Sequence, residues 1–222
     1  MKITSVEPQT LQLRSGYKRF NIFLDGQFAF GADEDLVVEK RLVPGKLLTP
    51  SEVKQLLVEA EVGKLMEKMY RWFEIRQRSE KEVKDYFRIK NLELRIKGKE
   101  TVSDLSVESV IATLKRKGIL NDLQFAKAWI DARSKKKGIR VIKQELFQKG
   151  ISKEIIEEIS NKMQDTNWEE VASKLLEKKL RVWRNLEPLK LKKKAFDFLM
   201  RRGFEYDVVS DAIEKILEKD YN

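Results

Sequence analysis

The sequence contains neither cysteine nor histidine in its 222 residues. Without cysteine, disulfide bonds and thiolate chemistry are excluded, and without histidine the most common general base and zinc ligand are missing. No apolar run approaches the ~20 residues that cross a bilayer, and the first residues lack the apolar stretch of a secretory signal. We therefore expect a cytoplasmic protein that does not associate with membranes.

Signatures of phosphate and metal chemistry are also missing. The Gly-Lys pairs at 45–46, 63–64 and 98–99 lack the upstream glycine of a phosphate-binding loop. The acidic run at 33–35 is better explained as the first turn of a helix, where acids complement the dipole, than as a Mg²⁺ site. The sequence therefore predicts a protein that is not an enzyme and has no catalytic residue, cofactor or metal.

Charge is abundant and unevenly distributed. Charged residues make up 37% of the chain and the net charge is +10. The segment 115–149 holds eleven basic and only three acidic residues. Such a segment suggests a polyanion or an acidic protein surface as partner, although a solvated helix face is the alternative for any lysine-rich helix.

The first 48 residues have the pattern of a small β-sheet. Phe20, Ile22 and Leu24 alternate with other residues, as in a half-buried strand. Asp25-Gly26 follows, a pair favoured in two-residue hairpin turns because both central positions need a positive φ. We expect further strands at Phe28 to Phe30 and near Ile3 and Val6, and a short helix over 33–42.

From Thr49 onward the pattern is helical. Helix starts are predicted where a side chain that can cap a helix N-terminus precedes an acid or amide by three residues. These pairs are Thr49 with Glu52, Ser79 with Glu82, Asn121 with Gln124, and Thr166 with Glu169. Apolar residues between them recur at i, i+3, i+4 and i+7, which is typical of amphipathic helices.

Four segments share one helix ending: an apolar residue, two variable residues, Lys or Arg, then Gly or Asn, then an apolar residue. They are 87–92, 114–119, 146–151 and 199–204. In this motif the Gly or Asn takes the left-handed conformation and the next apolar residue folds back on the last turn. Four such endings predict a repeated helical unit.

The repeats predict the organisation of the chain. The stretch 146–159 aligns without gaps on 199–212, and 82–91 aligns on 141–150. We predict a mainly α fold of tandem three-helix repeats in an elongated, curved array, with a small N-terminal β-sheet. The predicted parts are the β-rich segment 1–48, a connecting helix 49–61, and repeats at 62–120, 121–164 and 167–222.

Several of these segments together resemble the RecX family of regulators. The segment 19–31 resembles the N-terminal hairpin of that family, and 78–83 resembles the opening of its first repeat. The run from Val110 to Ala126 resembles the join between the first two repeats, and 142–151 resembles the middle repeat. The sequence departs from the pattern at Asn91, where a glycine is usual, and in a longer link at 92–105.

The resemblance implies a function that charge and periodicity do not give. RecX proteins bind in the groove of the RecA filament on single-stranded DNA. There they reduce ATP hydrolysis and strand exchange and limit the DNA-damage (SOS) response. The expected partners are the RecA recombinase and, through possible direct contact, single-stranded DNA. We expect a monomer. The alternative is a basic repeat protein that binds nucleic acid without a protein partner.

Two basic clusters are the candidate binding residues. The first occupies a helix–helix corner in the middle repeat, where Gly138 is expected to end a helix, and the second lies in the third repeat. The first cluster is Arg133, Lys135, Lys136, Lys137, Arg140 and Lys143, and the second is Lys190, Lys192, Lys193, Lys194, Arg201 and Arg202. Because matching repeats present corresponding faces, the two clusters are expected to form one stripe that binds phosphates or an acidic groove.

Aromatic residues are the other candidates for contact with nucleic acid bases. Most of them occupy apolar helical positions and are expected in the core, with Phe147 and Trp183 as the least certain.

Overall fold

A computed structural model of the chain describes residues 1–9, 18–163, 166–183 and 185–220. Its N-terminal part is an antiparallel sheet of β1 (Ile3–Pro8), β2 (Arg19–Leu24) and β3 (Gln27–Asp33) in the order β1-β2-β3. The turn between β2 and β3 has φ of 48° at Asp25 and 84° at Gly26. The predicted strands and hairpin are therefore confirmed.

The rest of the described chain is helical. The helices are α1 (Glu34–Glu39), α2 (Pro50–Ile75), α3 (Glu80–Ile96), α4 (Asp104–Arg116), α5 (Asp122–Arg133), α6 (Ile139–Gln148), α7 (Lys153–Lys162), α8 (Trp168–Trp183), α9 (Pro188–Arg201) and α10 (Tyr206–Asp220). This confirms a mainly α fold with a small sheet.

Most of the predicted helix starts are confirmed. Thr49 and Glu52 form a reciprocal capping box at α2, and the Asn121 side chain accepts a hydrogen bond from the N–H of Gln124. Asp33 caps α1, so the acidic run at 33–35 is a helix start. The predicted cap at Thr166 is wrong by one residue, because the Asn167 carboxamide accepts from the N–H of Glu170 at 2.9 Å. Asparagine is among the strongest capping residues and takes this role.

Three of the four predicted helix endings are confirmed. Gly118, Gly150 and Gly203 have φ between 69° and 81° and follow α4, α6 and α9. The ending at Asn91 is wrong, since α3 continues to Ile96. The link expected at 92–105 is correspondingly shorter, because its first five residues are helical.

The chain divides into two compact units. Unit 1 contains Met1–Arg76 and Val83–Leu120, and unit 2 contains Gln77–Glu82 and the residues from Asn121 onward. In unit 1 one core lies between the sheet, α1 and the start of α2, and another lies among α2, α3 and α4. In unit 2 one core joins α5, α6 and α7, and another joins α8, α9 and α10. The repeat boundaries given above stay a prediction.

Candidate basic interface

The first basic cluster lies on the turn between α5 and α6. α5 ends at Arg133, and Gly138, with φ of −76°, is the N-cap that precedes the first residue of α6. The prediction that Gly138 ends a helix is therefore wrong. Its N–H donates to the carbonyl of Arg202 at 2.9 Å, and a Cβ at this position would lie 2.2 Å from the Gly203 oxygen. The glycine is needed because another backbone passes against it.

The end of α9 forms the other side of this close approach. The N–H of Arg140 donates to the Gly203 carbonyl at 3.2 Å, and a Cβ on Gly203 would lie 2.5 Å from the backbone nitrogen of Val141. Arg202 donates from Nη1 to the carbonyl of Lys136 at 2.8 Å. These contacts hold the end of α9 against the α5–α6 turn, so residues 201 and 202 lie beside the first cluster.

Two cations of the first cluster are occupied by Glu145 of α6. Lys137 donates to Glu145 Oε1, and Arg133 Nε lies 3.6 Å from Oε2. Trp129 Nε1 also donates to Oε2 at 2.9 Å. The guanidinium of Arg133 lies over the Trp129 ring, 4.6 Å from its centroid. Arg133 and Lys137 are thus committed to contacts inside unit 2.

The pKa of Glu145 reflects this arrangement. Burial of the carboxyl raises its pKa, because a charged group loses hydration there. The hydrogen bonds from Lys137 and Trp129 and the charges of Lys137 and Arg133 act in the opposite direction and prevail, so the pKa is lowered. Glu145 is therefore a carboxylate at neutral pH and cancels part of the positive charge.

The remaining cations at this turn face solvent. Within the described residues their side chains make no ion pair, and Arg201 alone makes a hydrogen bond, from Nε to the Asp197 carbonyl at 3.1 Å. We call this group the basic corner: Lys135, Lys136, Arg140, Lys143 and Arg201, all of them exposed. Arg202 is half-buried. It supports the basic corner through its hydrogen bond to the Lys136 carbonyl, and its guanidinium lies over the Phe198 ring.

The lysines of the second cluster lie at the other end of α9. Lys190 pairs with Glu187 at 2.9 Å, and Lys194 lies over the Trp183 ring at 5.2 Å. Lys192 and Lys193 are exposed. At 1.5 Å per residue, Lys190 is ~16 Å along the helix from Arg201. Only the last part of the second cluster therefore joins the basic corner.

Sequence reasoning missed the role of Glu145. It is sixteen residues from Trp129, and no local pattern signals their hydrogen bond. The two uncertain aromatic residues differ. Phe147 on α6 is 61% exposed, whereas Trp183 packs against the core of α8, α9 and α10. Phe147 follows Lys143 by four residues, so both lie on one side of α6.

Over the described parts of the chain, no helix is long and apolar enough to cross a bilayer. Among the same residues, no three or more Cys, His, Asp or Glu side chains are grouped to hold a metal ion.

Comparison with known proteins identifies the family. One family model, described as "Regulatory protein RecX N-terminal domain", matches residues 1–49. Those described as "RecX, second three-helix domain" and "RecX, third three-helix domain" match 121–159 and 167–213. A "Regulatory protein RecX" of Listeria welshimeri is 30% identical over 216 residues, which are 96% of this chain and 74% of the relative. The chain belongs to the RecX family.

Further RecX proteins match between 70% and 99% of the chain. A "Regulatory protein RecX" of Clostridium perfringens strain SM101 is 29% identical over 224 residues, covering 99% of this chain and 98% of the relative. A crystal structure of regulatory protein RecX superposes with a TM-score of 0.69 at 24% identity, over 94% of this chain and 97% of that one. RecX from Lactobacillus salivarius gives 0.57 at 22% identity, over 70% and 96%. Both structures show the same fold.

Membership in the RecX family has two consequences. The relatives are named as regulatory proteins, so this RecX chain is a regulator and not an enzyme. The basic corner draws its residues from both matched three-helix domains, four from the second and Arg201 from the third.

Proposed function

We propose that this RecX protein is a cytoplasmic regulator that binds the RecA filament on single-stranded DNA and inhibits its ATP hydrolysis, strand exchange and DNA-damage signalling. Family membership supports the RecA connection. The observation that carries the proposal is the basic corner, a group of exposed cations held on a fixed backbone frame. Such a surface suits a groove lined by phosphates and carboxylates.

The fixed frame matters for binding. A lysine on a mobile loop loses conformational freedom when it binds, which reduces its contribution. Here two backbone hydrogen bonds, from Gly138 to Arg202 and from Arg140 to Gly203, already hold the turn in place. Only the side chains of Lys135, Lys136, Arg140, Lys143 and Arg201 then become ordered on binding.

A second candidate function is direct binding of nucleic acid without RecA. The observation that favours it is that exposed Lys143 and the exposed ring of Phe147 lie four residues apart on one side of α6. A cation for the phosphate beside an aromatic ring for the base is a common arrangement in proteins that bind single strands.

The rate of ATP hydrolysis by RecA on single-stranded DNA distinguishes the two functions. We expect the rate to fall strongly when this protein is added at ratios too low to coat the DNA. The Arg140→Glu/Lys143→Glu variant should need at least ~10-fold more protein for the same inhibition. Inhibition that begins only when the protein saturates the DNA would contradict filament binding and favour the second function.

The matched control is Lys153→Glu/Lys178→Glu. It makes the same change in net charge at exposed positions of α7 and α8, outside the basic corner. Equal loss of inhibition by the two variants would mean that net charge alone acts and that the basic corner has no special role.

A further inference from the structure

The third helix is longer than its counterpart in the next repeat. In the alignment of 82–91 with 141–150, Asn91 corresponds to Gly150, which follows the end of α6, yet α3 continues to Ile96. Inside this extension, Leu94 packs on the core of unit 1. Leu92 and Ile96 are 58% and 78% exposed. The extension therefore buries one side and leaves apolar side chains on another.

These side chains continue an apolar stripe. Ile89 is 52% exposed and precedes Leu92 and Ile96 at the i, i+3, i+7 spacing of one helix side. Leu105, on the first turn of α4, is 71% exposed. Single exposed apolar residues are common, but several along one helix side mark a surface where another molecule binds. Nothing in the predicted RecA function uses this stripe.

A preformed groove lies beside the stripe. It has a volume of about 490 Å³ between α3 and α4, and Phe87, Leu92 and Val107 are its apolar lining. Its wall is held by Asn91, whose Nδ2 donates to the Val102 carbonyl at 2.8 Å and whose Oδ1 accepts from the Val102 N–H at 2.9 Å. The amide that was predicted to end a helix instead fixes the loop that follows α3.

The rim of the groove is cationic. Lys84, Arg88 and Arg95 line it, and Asp104 is the one acid among its described residues. Arg88 lies 3.4 Å from Asp85 in an exposed pair, which contributes little and can be exchanged for another carboxylate. Arg95 makes no ion pair within the described part of the chain. The surface thus combines an apolar stripe with an excess of positive charge.

We infer that this α3–α4 face binds an acidic amphipathic helix of a protein partner. A helix presents apolar residues at the spacing of Ile89, Leu92 and Ile96, and its acidic flank meets Arg88 and Arg95. Charge complementarity selects an acidic partner over a basic one, and the apolar stripe selects a protein over a bare polyanion. The inference does not depend on the proposed RecA function, since it rests on unit 1 alone.

The test uses designed helical peptides and the full-length protein. A fluorescein-labelled peptide of about 18 residues carries leucine along one side and glutamate on the others. A second peptide replaces every glutamate by lysine, and a third has the composition of the first in an order without an apolar side. Fluorescence anisotropy at about 50 mM salt measures binding of each. We expect the acidic amphipathic peptide to bind at least tenfold more tightly than the other two.

Variants then locate the site. Leu92→Ser/Ile96→Ser should weaken binding of the acidic peptide at least tenfold, and Arg95→Glu should weaken it about fivefold. The control is Val182→Ser/Leu189→Ser, which removes side chains 78% and 83% exposed in unit 2 and should leave binding unchanged. All replaced side chains are exposed, so circular dichroism should show unchanged helix content in every variant.

Three results would overturn the inference. They are no binding of the acidic peptide up to millimolar concentration, equal binding of the lysine peptide, and unchanged binding by Leu92→Ser/Ile96→Ser. A labelled oligothymidine in the same assay tests whether this face binds nucleic acid instead. If the stripe variant weakens binding of the oligonucleotide and not of the peptide, the face is a nucleic-acid site and the peptide proposal fails.

Discussion

At the scale of single residues, Glu145 decides which cations of the α5–α6 turn are available. Counting charges along the sequence treats Arg133, Lys137, Arg140 and Lys143 alike. In the folded protein the first two are held by Glu145, and the last two face solvent without an ion pair among the described residues. The sequence predicts the basic cluster, but it does not predict which of its cations pair with Glu145. That pairing depends on side chains brought together by the packing of α5 on α6.

Replacing Glu145 should make this role measurable. Glu145→Gln removes a carboxylate that accepts from Lys137 and Trp129, so we expect the free energy of unfolding at pH 7 to fall by ~1–2 kcal/mol. Because the folded pKa is below the usual 4.5, the carboxylate stabilises the fold above that pH. The stabilisation is lost as the pH falls through the folded pKa.

Urea unfolding at pH 7 and at about pH 3 measures the effect. The difference between wild type and Glu145→Gln should shrink towards zero at the lower pH. Glu157→Gln, at an exposed position of α7, is the control and should change stability by less than ~0.5 kcal/mol at either pH. A Glu145→Gln difference that is the same at both pH values would show that folding does not stabilise the carboxylate form of Glu145.

At the scale of elements, helix starts and most helix ends could be predicted because they depend on a few adjacent residues. Thr49, Asn121 and Gly118 act through bonds within one turn of their own helix. The predicted helix end at Asn91 was wrong because the Asn91 side chain instead makes hydrogen bonds to the backbone of Val102, eleven residues away. The predicted helix end at Gly138 was wrong because this glycine is required by the close approach of the Gly203 backbone. Gly203 belongs to another helix pair, so no local sequence pattern shows this contact.

Two glycines that look alike in sequence should respond differently to alanine. Gly118 and Gly203 both follow a helix with positive φ, but a Cβ on Gly118 meets nothing within 4 Å. A Cβ on Gly203 meets the backbone and side chain of Val141 at 2.5 Å. Gly118→Ala should cost ~1 kcal/mol for the left-handed conformation alone. Gly203→Ala should cost at least ~2 kcal/mol more, because the chains must move apart.

Equilibrium urea unfolding of both variants tests the difference. Gly203→Ala should also reduce inhibition of RecA beyond its effect on stability, because the basic corner loses its frame. Similar costs for the two substitutions would indicate that the end of α9 yields easily and that the corner is not rigid.

At the scale of the whole molecule, chain order and spatial grouping differ. The segment Gln77–Glu82 belongs to unit 2 although unit 1 continues on both sides of it. Ser79 Oγ donates to the Lys149 carbonyl at 2.7 Å, and Lys149 Nζ donates to Glu82 at 2.8 Å. These partners are about seventy positions apart in the chain. Repeat alignment finds similar segments but does not show which of them pack together, so this grouping could not be predicted.

Because the net charge is +10, the salt concentration should strongly affect how the whole molecule binds an anionic partner. If the basic corner contacts phosphates, raising the salt from about 50 to 200 mM should weaken binding to the RecA filament, because counterions are no longer released as favourably. In a plot of log affinity against log salt, each lost phosphate contact reduces the slope by about 1. Arg140→Glu/Lys143→Glu should therefore reduce the slope by about 2.

Lys153→Glu/Lys178→Glu lowers the net charge equally, outside the basic corner. If contacts at the corner determine the salt dependence, this variant keeps the slope of the wild type and shifts the affinity only slightly. If the overall field of the protein determines it, both variants lose slope to the same extent. The comparison thus separates a local binding surface from diffuse attraction, two explanations that sequence composition leaves equally open.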